Sequence, residues 1–150
     1  MTLELTIKGQ FQVDNDLSQL VLATIKENAA VRSANFDTGT FDIATDIAQV
    51  HGDTTPDELA DLFGRKMPAT GMIYCACSKA EPDRAYDLVV TIACRMIDRG
   101  TPMLALIFGG DLPLLVHEGA TTTILRRGHQ DFWRTRRWIL PHGYVETHAV

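Results

Sequence analysis

The densest concentration of groups able to recognise another molecule lies near the end of the chain. Arg126, Arg127, Arg134, Arg136 and Arg137 are interleaved with His129, Trp133 and Trp138. A guanidinium fork grips phosphate or carboxylate at two points. An indole face stacks on bases or fills a partner's pocket, and Arg and Trp dominate the energetic centres of protein interfaces. Between 126 and 137 the five arginines meet one acid, Asp131, so this segment carries +4; with a net charge of −5 overall, the rest of the chain carries −9. Seven acids, Asp37, Asp42, Asp46, Asp53, Asp57, Glu58 and Asp61, fall between Asn35 and Phe63, where there is no lysine or arginine. The same pattern has an internal explanation: the arginines neutralise that acidic stretch and the tryptophans fill the core.

Other chemistry-bearing residues are sparser. Cys75 and Cys77 are two apart, which on a strand puts both on one face. No second cysteine pair completes a zinc site, and Cys94 falls on an apolar stripe, so all three read as reduced core thiols. Asp42, Asp46, His51 and Asp53 suit a hard cation by type, but their spacing matches no ligand motif and reads as a solvated acidic face. His51, His117, His129 and His142 are candidate bases. There is no G-x-S-x-G elbow, and Ser78 with His117, both at strand ends, is the one serine–histidine pairing worth testing. Glycine-rich phosphate loops are absent from the sequence. No catalytic residue, metal ligand or cofactor site is therefore assigned.

Composition sets the frame. A chain of 150 residues with 45% hydrophobic and 22% charged residues has the makeup of one globular domain that needs no disulfide or metal. Three cysteines without framework spacing indicate a reducing compartment. The N-terminus lacks a basic start followed by an apolar run, and no stretch approaches the ~20 apolar residues of a membrane span. The expectation is a cytoplasmic protein, independent of membranes.

Certain elements must hold these residues in place. Residues 3–13 alternate Leu3, Leu5, Ile7 against Glu4, Thr6, Lys8, a strand with one wet face and a bend at Gly9. Asp16, with Gln19 completing a capping box, opens a helix whose stripe is Leu17, Leu20, Val21, Thr24, Ile25 and Ala29, ending near Arg32. Phe41–Ala48 alternates as a strand, and Thr55-Pro56-Asp57-Glu58 starts a second helix that ends near Gly64. Met72–Ser78 is a strand expected to be buried on both faces. Pro82-Asp83 opens a third helix with Tyr86, Val89, Val90, Ala93, Met96 and Ile97 inward, stopped by Gly100 and Pro102. Met103–Phe108 and Leu112–His117 form a hairpin about Gly109-Gly110-Asp111, and Thr121–Arg127 follows as a strand.

Residues 129–140 fit two periods. Phe132, Trp133, Arg136, Ile139 and Leu140 suit a helix; Phe132, Arg134, Arg136, Trp138 and Leu140 suit one face of a strand. The preceding meander favours the strand, with residues 141–150 as a loose tail. The whole reads as a single α+β domain, 1–150: about three helices on a mainly antiparallel sheet ending in a C-terminal β-meander.

These readings favour a non-enzymatic protein-binding module, of inhibitor, immunity or adaptor type, acting through Arg126, Arg127, His129, Trp133, Arg134, Arg136, Arg137 and Trp138. Its partner is another protein or a second copy of the chain. Nucleic acid or another anionic ligand on the same segment is the alternative, opposed by the −9 elsewhere. A small enzyme with a scattered Asp/His site ranks last.

Overall fold

A computed structural model describes residues 2–12, 14–31, 47–49, 71–78, 82–109, 112–125 and 130–147. The expected helix from Thr55 and most of the expected strand at Phe41–Ala48 lie outside the described residues. In chain order the elements are β1 (Thr2–Gln10), α1 (Asn15–Val31), β2 (Ile47–Gln49), β3 (Gly71–Ser78), α2 (Pro82–Asp98), β4 (Met103–Phe108), β5 (Leu112–Glu118), β6 (Thr121–Leu125), α3 (Gln130–Arg134), a 3-10 turn (Arg137–Ile139) and β7 (Val145–Thr147). The strands form one seven-stranded sheet in the order β2-β3-β1-β4-β5-β6-β7. Every neighbouring pair is antiparallel except β6 and β7, which run parallel. The α+β class holds, with a mixed sheet.

Alternation in the sequence becomes one packed face. Leu5 lies opposite both Cys75 and Phe108, and Ile7 opposite both Ile73 and Leu106, so side chains from three adjacent strands stack in rows. Leu115 and Ile124 extend the row across β5 and β6. Against this face pack Ala85, Leu88, Val89, Ile92, Ala93 and Met96 of α2 together with Leu17 and Val21 of α1. β4, central in the sheet, is buried on both faces: Leu104 and Leu106 face the helices, Met103, Ala105 and Ile107 face away, and all five are buried. In β3, Ile73 and Cys75 are buried while Met72 is half-buried. Between Leu106 and Ile107 the β4–β5 register shifts by a bulge, next to the pairing of Ile107 with Pro113. A bulge tolerates proline's missing N–H, which a regular ladder does not.

Helix ends follow local chemistry. Asp14 caps α1, its Oδ1 accepting the Leu17 N–H at 2.9 Å. The expected cap, Asp16, instead lies inside the first turn, where its charge complements the positive end of the helix dipole. At the end of α2 the N–H of Gly100 reaches the Ile97 carbonyl at 2.9 Å and that of Thr101 reaches the Met96 carbonyl at 3.1 Å. This is a Schellman motif, and it requires the positive φ of 97° that Gly100 adopts without strain. Arg95 ties the two helices together, paired with Glu27 at 2.5 Å and donating to Thr24 Oγ1 at 3.1 Å.

Two expectations at the C-terminus are corrected. Residues 130–140 do not form a strand: 130–134 are helical and 137–139 make a 3-10 turn. Nor is the tail loose throughout, because Val145–Thr147 joins the sheet beside β6. The physical reason is an available partner. The N-terminal turns of α2 present Tyr86, Asp83 and Asp87 to Phe132 and Arg136, and the coiled backbone turns Trp133 into the core beside them, where a strand would put it on the opposite face.

Candidate functional site

The C-terminal segment divides into an inward and an outward set. Phe132 and Trp133 come from the short α3. Their rings meet edge to face with centroids 4.8 Å apart, and Phe132 in turn lies 5.1 Å from Tyr86, which lies 6.0 Å from Phe108. Trp133 is completely buried, and its indole N–H finds no hydrogen-bond acceptor among the described residues. It is therefore a core residue, held by aromatic packing.

Arg136 is also inward, with only 3% of its side chain exposed. Its Nη2 contacts Asp83 Oδ1 at 2.6 Å and its Nη1 donates to the Phe132 carbonyl at 2.6 Å. The Nε sits 2.8 Å from Asp87 Oδ1 as an ion-pair contact, out of line for a hydrogen bond. The guanidinium plane lies over the rings of Phe132 and Tyr86, at 4.6 and 5.1 Å from their centroids. One arginine thus bolts the C-terminal segment to the start of α2. A buried guanidinium needs such partners, since an unpaired charge there would be expensive.

The outward set is Arg134, Arg137 and Trp138. Arg137 is half-exposed and pairs with Glu146 of β7 at 3.0 Å. Arg134 is exposed. Trp138 is 77% exposed, the most exposed large hydrophobic residue among those described. Its Nε1–H donates to the Thr135 carbonyl at 3.1 Å, which satisfies the polar edge of the indole and leaves its apolar faces toward solvent. Arg126, Arg127 and His129 lie outside the described residues. Of the eight residues read as a site, the structure brings Trp133 and Arg136 into the interior and Arg134, Arg137 and Trp138 onto the surface. Sequence reasoning did not pair Arg136 with Asp83 and Asp87. The signal was available: two acids at i and i+4 share one face of a helix.

The remaining candidates separate in space. His117 lies opposite Leu104, which lies opposite Gly9, which lies opposite Gly71; Ser78 is at the far end of β3, opposite Thr2. Two strands and most of a strand length divide the serine from the histidine, so the register does not assemble a nucleophile–base pair. Instead His117 is buried, its Nδ1 2.8 Å from Thr122 Oγ1. Burial lowers its pKa below the ordinary 6.5, opposed by a hydrogen bond to the Gly119 backbone. Cys75 and Cys94 are buried and outside any disulfide. Burial, with the Asp98 carboxylate adding to it, pushes Cys94 up to about 12, which leaves essentially no nucleophilic thiolate at neutral pH. Among the described residues no three His, Cys, Asp or Glu side chains converge as a metal site; Asp42, Asp46, His51 and Asp53 lie outside them. No helix among the described residues is long and apolar enough to cross a membrane.

Comparison with known protein families, with curated proteins and with solved structures finds no match to this chain.

Proposed function

We propose that this chain is a protein-binding module whose contact surface centres on Trp138, flanked by Arg134 and Arg137. The observation that carries the reading is the pose of Trp138: a large aromatic held by its own N–H against the Thr135 carbonyl, with its apolar faces in water. Exposed tryptophan beside arginine is the composition of an interface hot spot, and a pre-ordered indole loses little freedom on docking. Trp133 and Arg136 support that surface from beneath.

A protein partner is favoured over a polyanion by the ion pairs. Two of the three guanidiniums placed here are engaged by carboxylates of the same chain, Arg136 by Asp83 and Asp87 and Arg137 by Glu146. Among the described residues of this segment that leaves Arg134 with no such pairing, whereas duplex binding draws its affinity from several phosphate contacts.

The test is capture of interacting proteins from extracts of the source cells with the wild-type chain, with Trp138→Ala and with Arg134→Glu. Titration calorimetry with the purified partner then follows. Loss of a hot-spot residue weakens binding about 30-fold or more; a partner that binds wild type and Trp138→Ala equally refutes the surface. Light scattering at low and high salt separates the self-associating version, which a monomer under both conditions removes.

A further inference from the structure

We draw no further inference here: the strongest candidate, the cleft of about 230 Å³ where Phe11, Leu17, Met96 and Arg99 meet at the N-terminus of α1, has no unpartnered buried polar atom among its described lining residues to say what would bind there, and a helix N-terminus alone does not define a ligand.

Discussion

Arg136→Ala is predicted to destabilise the fold rather than weaken a contact with an outside partner. The guanidinium makes two carboxylate contacts, one hydrogen bond to the Phe132 carbonyl and two ring contacts from a position 3% exposed. Breaking a fully buried ion pair costs about 3–5 kcal/mol. Here the Asp83 side chain is 85% exposed and Asp87 27%, so a freed carboxylate recovers much of its hydration. The expected loss is then about 2–4 kcal/mol, part of it from packing of the arginine stem on Tyr86 and Phe132. With a urea m-value of about 2 kcal/mol/M, the midpoint falls by about 1–2 M. Arg136→Lys does not rescue, because a single ammonium cannot replace a planar fork that reaches two carboxylates and a carbonyl. The comparison is Arg137→Ala, whose half-exposed pair with Glu146 is worth less than about 1 kcal/mol, and Arg134→Ala, expected within about 0.5 kcal/mol of wild type. Equal urea midpoints for the Arg136 and Arg134 variants would refute the reasoning. A double-mutant cycle with Asp87→Asn then assigns the coupling.

Three further outcomes follow from the same geometry. Gly100→Ala, at φ 97° with open space where a Cβ would stand, should cost about 1–2 kcal/mol in chemical denaturation from left-handed strain alone; no loss would show that α2 ends differently. The two tryptophans should behave oppositely: Trp138→Phe leaves the buried Trp133, with blue-shifted emission resistant to acrylamide, and a freely quenched signal in that variant contradicts the placement of Trp133. The buried neutral His117 favours folding fully above its ordinary pKa of 6.5, and this contribution is lost as pH falls from there toward the lowered folded value. His117→Gln should therefore flatten the pH dependence of stability in that window, and an unchanged slope would remove His117 as its source.

How much of this was legible in the chain differs by element. The strand at 2–10, the helix at 82–98 and the strands from 103 to 125 follow from period and punctuation. Gly100 with Pro102 signalled the end of α2, and the Schellman bonds show why. The cap of α1 was misplaced by two residues, since Asp14 and Asp16 are both acceptable caps by type and only backbone geometry chooses between them. The fate of the candidate site was less legible. Residue type alone cannot say whether an arginine near the C-terminus meets an external carboxylate or one on a helix fifty residues earlier.

By itself the sequence determined the helix-and-sheet alternation, the apolar rows and the concentration of arginine and tryptophan after residue 125. These are local properties, set by periodicity and composition. Only the tertiary structure decided that 130–134 coil instead of extending, that Trp133 turns inward while Trp138 turns outward, and that Arg136 is taken up by Asp83 and Asp87. The cause is that Phe132 and Arg136 share a side in either backbone period, whereas Trp133 joins them only in the coiled one, so the aromatic and acidic face of α2 selects the conformation that buries Trp133 and Arg136 together with partners for the charge.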